Sequence, residues 1–334
     1  MALPGRIANR SKDYLLFNPW LESYWLNRAR GKIAALLYHQ VDTPARNAFL
    51  AKGGSPVITE TQFRRELQFL RTKGARFFTF DEIIAGIYPN RDEFGVAVCF
   101  DDCFLNNYTL GLDILDELGI KATFFQSTAM IDSVDLLWEH RLYWHTRDAA
   151  SSAEFRQVAL EVLTTNSRVP PLALHGLVEF LREDVPFETC ERVLATADAS
   201  LATRGEMEKM ARQIYPNSDH LRQARSRGHV IGSHGHHHYK RANISAAMFE
   251  HELVQSRSRL EQVLGERPAC FSYPFDSYVP TDADICRKYY SGAATVAKRA
   301  IERDADRMWL PRFTWPGVSG NEFRLRRWLL SGTI

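Results

Sequence analysis

Short apolar runs alternate with amphipathic stretches along most of the chain, and this alternation predicts its secondary structure. β-Branched and aromatic residues predict buried strands at residues 33–39, 76–80, 96–100, 122–126, 229–233, 270–273 and 293–297. Apolar positions at helical spacing predict helices that end near Gly74, Gly119 and Gly265. A capping box formed by Thr59 and Gln62 marks the start of the first of these helices. Strands that alternate with helices are typical of a parallel sheet in an α/β fold.

The pattern changes between about residues 133 and 225, where the sequence becomes helical and polar. We interpret this stretch as a helical insertion in a single domain that spans residues 31–334, and not as a separate domain. Residues 1–30 mix aromatic and basic side chains and form an N-terminal extension. We expect the extension to pack on the domain; binding to a membrane surface is the alternative for such a composition.

Composition narrows the class of protein. The chain has 334 residues, of which 45% are hydrophobic and 25% charged, so it can bury a globular core. The net charge of +2, without a dominant basic block, makes nucleic acid an unexpected partner. No apolar run is long enough for a transmembrane segment or a signal peptide, and the five cysteines form no CxxC pair. We therefore expect a cytoplasmic protein with reduced thiols; the sequence does not indicate its oligomeric state.

The predicted strand at residues 96–100 ends in two adjacent carboxylates, Asp101 and Asp102. In parallel α/β folds, active sites assemble at the C-terminal ends of strands. Adjacent residues of an extended chain point in different directions, so one carboxylate is suited to a metal and the other to a proton. A solvated turn or a helix N-cap is the alternative interpretation of this pair.

A second predicted strand, at residues 229–233, runs into a histidine-rich segment. His234 and His238 are four residues apart, a spacing that lets two imidazoles reach one ion across a helical turn. Together with Asp102 they form a three-ligand set that leaves coordination positions open, as catalytic metal sites do. The alternative is a solvated histidine tract that binds metal only opportunistically.

Four motifs extend this pattern along the chain. They are Leu37-Tyr38-His39-Gln40-Val41, Phe100-Asp101-Asp102, His234-Gly235-His236-His237-His238 and Phe271-Ser272-Tyr273-Pro274-Phe275. With these motifs in this order, residues 33–330 resemble the polysaccharide deacetylase family, also called carbohydrate esterase family four, and in particular its Tyr-Pro-Phe-Gly-like members.

The resemblance implies a distorted (β/α)7-type barrel, with the helical insertion between the Asp-Asp and the histidine motifs. It also implies a metal-dependent hydrolase that removes an N-acetyl or related acyl group from an amino sugar, glycan, glycolipid or glycoside. The implied cofactor is a divalent metal, most often zinc. By the same resemblance Asp102, His234 and His238 hold the metal, and Asp101 accepts a proton from the attacking water.

Other residues implied by the resemblance, or suggested by their chemistry, face the substrate. Tyr273 and Phe275 belong to the third motif, and the backbone N–H of Phe275 is expected to complete an oxyanion hole. Trp138, Trp144 and Trp315 are candidates for stacking against a sugar ring, with core packing as the alternative for each.

The sequence departs from the family pattern at several positions. Cys103 and Asp276 stand where glycine is usual, and Ser272 stands where many members have an arginine that orients the catalytic aspartate. We expect Arg312 to replace that arginine, unless it forms a surface salt bridge. The C-terminal histidine motif is absent. The resemblance to permuted members of the family, in which the first-strand histidine takes that place, makes His39 our candidate for the general acid, with a buried structural histidine as the alternative.

These departures leave two competing functions open. One is a catalytically silent relative that binds a glycan or a protein partner in the same cleft. The other is an enzyme that hydrolyses a C–N bond outside a sugar, such as a formamide or a cyclic imide.

Overall fold

The computed structural model describes residues 26–43, 45–46, 48–165, 173–199 and 204–314. Its strands include all seven that the apolar pattern predicts, with small differences at their ends. The strands are β1 (Ile33–Tyr38), β2 (Gln40–Val41), β3 (Val57–Ile58), β4 (Arg76–Phe78), β5 (Gly95–Phe100), β6 (Thr123–Gln126), β7 (Val230–Ser233), β8 (Cys270–Ser272), β9 (Gly292–Val296) and β10 (Leu310–Thr314).

Seven parallel strands close into a barrel. Their order is β1-β10-β9-β8-β7-β6-β5, and β5 pairs with β1 along its whole length to close the ring. On its other side β5 pairs first with β4 and then with β6, which distorts the barrel at this point. This arrangement confirms the predicted (β/α)7-type barrel. The sequence pattern did not predict β10, because a proline such as Pro311 normally argues against a strand within a sheet.

The helices surround this barrel and fill the insertion. They are α1 (Ala48–Lys52), α2 (Glu60–Thr72), α3 (Phe80–Ile84), α4 (Leu112–Glu117), α5 (Trp138–His145), α6 (Ala149–Thr165), α7 (Leu174–Glu183), α8 (Phe187–Ala199), α9 (Arg204–Ile214), α10 (Ser218–Ser226), α11 (Ala246–Leu264) and α12 (Asp282–Cys286). One half of the capping box predicted for α2 is present, because the Thr59 side chain accepts a hydrogen bond from the Gln62 N–H. Gly265, with φ 75°, ends α11 in the left-handed conformation.

The core has two layers because successive residues of each strand point to opposite faces. The barrel interior contains Ala35, Leu37, Ala97, Cys99, Phe125, Cys270, Ala294 and Leu310. The layer between strands and helices contains Leu36, Val96, Val98, Phe100 and Phe124 against Phe63, Leu67, Leu112 and Leu260. The residues of both layers are buried.

The insertion lies between β6 and β7. Helices α5 to α8 share a hydrophobic core of their own, which includes Leu142, Phe155 and Leu194. Helix α10 instead packs on the barrel, since its Leu221 and Ala224 join the layer between strands and helices. The region predicted as an insertion at about 133–225 therefore includes one helix of the barrel shell.

Residues 1–25 and 315–334, which include most of the predicted N-terminal extension and Trp315, lie outside the described residues. Among the helices that the structure describes, none combines the length and the apolar composition needed to cross a membrane.

Candidate active site

A sharp turn at the end of β5 separates the two adjacent carboxylates. Asp102 and Cys103 both have φ 61°, a left-handed conformation that is strained for side chains other than glycine. The Cys103 N–H donates to the Asp101 carbonyl at 2.6 Å, and Gln126 Nε2 donates to the Asp102 carbonyl at 3.3 Å. The turn therefore directs Asp101 and Asp102 to different partners, as the sequence predicts.

The histidine segment follows β7, and the two predicted ligands use the same ring nitrogen for support. His234 Nδ1 donates to the Ser272 carbonyl at 2.9 Å, and His238 Nδ1 donates to Glu139 Oε1 at 2.8 Å. Because a carbonyl and a carboxylate only accept hydrogen bonds, both Nδ1 atoms carry a proton and both Nε2 atoms remain available as ligands. The Nε2 atoms of His234 and His238 lie 3.5 and 3.2 Å from Asp102 Oδ1.

The geometry of these three residues fits a divalent metal. One ligand atom each from Asp102, His234 and His238 lies within 4.8 Å of the others, and all three residues are buried. Two imidazoles and one carboxylate, each imidazole braced through Nδ1, form the donor set of many catalytic zinc sites. The structure thus brings together the three residues that the sequence proposed as metal ligands.

Arg312 forms a buried ion pair with Asp101. Its Nη1 and Nη2 atoms donate to Asp101 Oδ1 and Oδ2 at 2.6 and 2.8 Å, and Nη2 also donates to Ser272 Oγ at 2.7 Å. Strand β10 places this side chain inside the barrel, where it is 0% exposed. Arg312 therefore contacts the carboxylate in the way expected of the missing motif arginine, and it is not a surface residue.

The electrostatic environment keeps Asp101 ionised. Burial by itself raises the pKa of this carboxyl group, but the Arg312 guanidinium and then His234 outweigh it and hold the pKa below its ordinary value. Asp101 Oδ2 lies 3.8 Å from His234 Nε2, on the side where a metal would bind. A carboxylate in this position can accept a proton from a water molecule beside the metal ligands.

His39 lies at the end of β1 and lines the same cleft. Its carbonyl accepts a hydrogen bond of 2.8 Å from Asn107 Nδ2, so its backbone is fixed. Its buried Nδ1 atom has no hydrogen-bond partner among the described residues. Burial lowers the pKa of His39, while Asp102 and Asp101 oppose that shift. The Nδ1 atom thus does not brace the barrel by a hydrogen bond to the described residues.

Phe275 is placed at the metal ligands by an unusual backbone. It has φ 58°, it lines the cleft, and its ring centroid lies 4.6 Å from that of His238. Its backbone N–H donates to no other atom in the described part of the chain, so the group is available to an oxyanion.

Three aromatic candidates pack in the core and do not line the cleft. Tyr273 is 1% exposed and stacks on Trp309 with ring centroids 5.5 Å apart. Trp138 is buried in the insertion, where its Nε1 atom donates to the His237 carbonyl at 3.1 Å. Trp144 is buried beneath Arg147. The structure thus does not bring the Tyr273 or Trp138 side chain to a position for substrate contact; Trp138 supports the histidine segment instead.

The glycine replacements have different environments. Cys103 is 0% exposed and its Sγ donates to the Phe100 carbonyl at 3.5 Å, so it packs in the core. Asp276 lines the cleft with φ 51°, and its Oδ1 accepts the Val296 N–H at 2.7 Å. The carboxylate thus holds the left-handed turn that glycine would adopt without strain.

The sequence pattern missed the carboxylates that fix the histidine segment. Glu139 of α5 orients His238, and Glu252 of α11 accepts the backbone N–H groups of His236 and His237 at 2.9 and 2.7 Å. Glu139 lies 99 residues from His238, and no motif spacing links the two. From the sequence, Glu139 and Glu252 could only be assigned to stretches predicted to be helical.

The described residues enclose a cleft of about 370 Å³ above the proposed metal ligands. One wall comes from the barrel and from the loop of residues 53–56, and the other comes from the insertion. The insertion residues are Glu139, His140, Tyr143 and Arg182. The insertion therefore forms part of the site, although its sequence gave no catalytic motif.

Comparisons with known proteins agree with this geometry. The sequence model of the family described as polysaccharide deacetylase matches residues 89–159 and 199–289. No curated protein has a significant sequence match.

Several solved structures share the fold. A polysaccharide deacetylase from Bacillus cereus has a TM-score of 0.57 and 14% identity, covering 90% of this chain and 69% of that one. Streptococcus pyogenes deacetylase PplD, solved in complex with acetate, has a TM-score of 0.57 and 15% identity over 91% and 99% of the two chains. IcaB from Ammonifex degensii has a TM-score of 0.56 and 17% identity over 90% and 97%. The family's sequence model matches on both sides of the unmatched stretch 160–198, and the family's barrel is present, so this chain belongs to the polysaccharide deacetylase family.

Proposed function

We propose that this protein is a metal-dependent amide hydrolase that removes an N-acetyl or related acyl group from an amino sugar. The observation that carries the proposal is the placement of the Asp101–Arg312 ion pair beside Asp102, His234 and His238 at the base of an open cleft. Family membership supports the sugar and the acyl group.

Each group in the cleft has a separate chemical task. A divalent metal, most suitably zinc, would supply Lewis acidity at Asp102, His234 and His238 by polarising the acyl carbonyl and lowering the pKa of water. Asp101 accepts the proton of the attacking water, and Arg312 holds its carboxylate in place. The Phe275 N–H donates to the oxygen that becomes negative.

Cleavage of an amide also requires a proton on the departing nitrogen. His39 supplies it in this proposal, since its ring lines the cleft and its buried Nδ1 atom has no partner in the described part of the chain. Burial favours the neutral ring in the free site. The neutral ring therefore has to gain a proton during turnover before it can donate one, and the proton that Asp101 takes from water balances this gain.

The proposal is tested by acetate release. Purified protein supplemented with zinc should release acetate from N-acetylated glucosamine oligosaccharides, and Asp101→Asn should retain zinc while its kcat falls by about 10²- to 10⁴-fold. The exposed Asp219 offers a matched control as Asp219→Asn. Full turnover by Asp101→Asn would disprove the assigned base. Activity on formamides or cyclic imides without activity on any N-acetylated sugar would identify a non-sugar C–N hydrolase.

A further inference from the structure

Part of the insertion lies outside the family pattern and yet reaches the cleft. The family's sequence model leaves residues 160–198 unmatched, a stretch that contains α7 and most of α8. Arg182, near the C-terminal end of α7, lines the cleft. The proposed deacetylation uses no positively charged residue on the insertion side of the cleft, so it does not explain why Arg182 lies there.

The Arg182 side chain is held in a fixed position. Its Nη1 atom donates to the Tyr143 hydroxyl oxygen at 2.9 Å, and its Nε atom donates to Glu183 Oε1 at 2.9 Å. The Tyr143 ring lies directly on Gly53, where a Cβ would come within 2.3 Å of the ring. Arg182 Nη2 has no hydrogen-bond acceptor among the described residues. A guanidinium that is held in place and has an unused N–H donor can bind a hydrogen-bond acceptor of a ligand.

The charges around Arg182 leave a positive excess. Glu183 accepts both Arg182 and Lys240, so two cations share one carboxylate. The buried acids deeper in the cleft have partners of their own, since Asp101 pairs with Arg312 and Glu139 with His238. Asp276, the carboxylate next to Phe275, keeps its charge because its partner is the uncharged Val296 N–H, but it forms no ion pair with Arg182. Among the described residues, Arg182 forms its ion pair with Glu183 and not with a catalytic group.

We propose that Arg182 determines specificity by binding an anionic group of the substrate, a carboxylate or a phosphate on or next to the N-acylated sugar. A guanidinium presents paired N–H donors that match the oxygens of both groups. This inference rests on the proposed deacetylase function and adds the charge of its substrate. Tyr143 is a positioning residue in this proposal, because its hydroxyl oxygen accepts the hydrogen bond that holds Arg182 Nη1.

The test compares charged and neutral sugars on the same protein. N-acetylglucosamine 6-phosphate, N-acetylmuramic acid and neutral N-acetylglucosamine are titrated by calorimetry into the zinc-supplemented Asp101→Asn protein, which prevents turnover. We expect at least one charged sugar to bind on the order of 10- to 100-fold more tightly than the neutral one, as a charge-assisted hydrogen bond provides. Arg182→Gln should abolish this preference, and Arg182→Lys should retain part of it.

Lys240 provides a matched control, because it is the other cation paired with Glu183 and it does not line the cleft. Lys240→Gln removes one positive charge, as Arg182→Gln does. It should leave the preference intact. Equal binding of the three sugars, no measurable binding of any of them, an unchanged preference in Arg182→Gln, or an equal loss in Lys240→Gln would each overturn the assignment. Acetate release by the wild-type protein separates the two proposals: turnover without charge preference overturns only the role of Arg182, and charge preference without turnover overturns only the deacetylase.

Discussion

Arg312 and Asp101 lie 211 residues apart in the sequence and meet through two hydrogen bonds of 2.6 and 2.8 Å inside the barrel. They can meet because β1 pairs with both β5 and β10, so the last described strand is a near neighbour of the strand that ends at Asp101. The barrel closure thus supplies the arginine that the third motif lacks.

Removal of the Arg312 charge alone should destabilise the protein more than removal of the Arg312 and Asp101 charges together. Arg312→Met leaves the Asp101 carboxylate buried and unpaired, and we expect the free energy of unfolding to fall by about 3–5 kcal/mol. In the double variant Arg312→Met with Asp101→Asn no unpaired charge remains, so part of the loss should be recovered. Urea unfolding of both variants measures this. A double variant no more stable than Arg312→Met would contradict the proposed buried ion pair.

Glu139 should control the affinity of the metal site. Glu139→Gln weakens the acceptor for His238 Nδ1, and the loss of such a supporting carboxylate is expected to reduce zinc affinity by about 10- to 100-fold. Competition with a chromophoric chelator measures the affinity without reference to activity.

The exposed Glu188, on α8 of the same insertion, supplies the comparison. Glu188→Gln should bind zinc like the wild-type protein. If Glu139→Gln also bound zinc with unchanged affinity, His238 would not need its carboxylate partner.

The barrel strands other than β10, and the three proposed metal ligands, could be predicted because each depends on local sequence. Strand patterns, Asp101-Asp102 and the histidine segment are short, and the parallel fold then places the ends of their strands together. Glu139 and Arg182 could not be found in this way. Their position in the cleft depends on how the insertion helices pack on the barrel, which no short motif encodes.

For two aromatic residues, the sequence predicted substrate contact that the structure does not show. Tyr273 follows a strand in the site motif, and Trp138 begins a helix beside the cleft, yet both side chains are buried. The Tyr273 ring turns outward to stack on Trp309, because adjacent positions face opposite sides of a strand. Sequence alone gives the aromatic character of such a residue but not the side on which its ring is buried.

Cys103 should prove to be a packing residue and not a metal ligand. It is 0% exposed, burial raises its thiol pKa, and burial raises the pKa of Cys99, Cys190 and Cys286 to about 12. All five cysteines should therefore react with a thiol reagent such as dithionitrobenzoate only after unfolding. Cys103→Ala should bind one equivalent of zinc like the wild-type protein; loss of zinc from this variant without loss of fold would place the thiol at the metal.

The role of His39 as proton donor can be separated from a structural role by the choice of leaving group. His39→Gln should reduce kcat for an N-acetylated sugar by about 10²- to 10⁴-fold while zinc content and the unfolding midpoint stay close to wild type. A phenyl ester of acetic acid has a leaving group that departs without a proton, so its hydrolysis should fall far less. Asp101→Asn, by contrast, should slow both substrates, because both need an activated water. Equal losses for amide and ester in His39→Gln would mean that His39 does not protonate the leaving nitrogen.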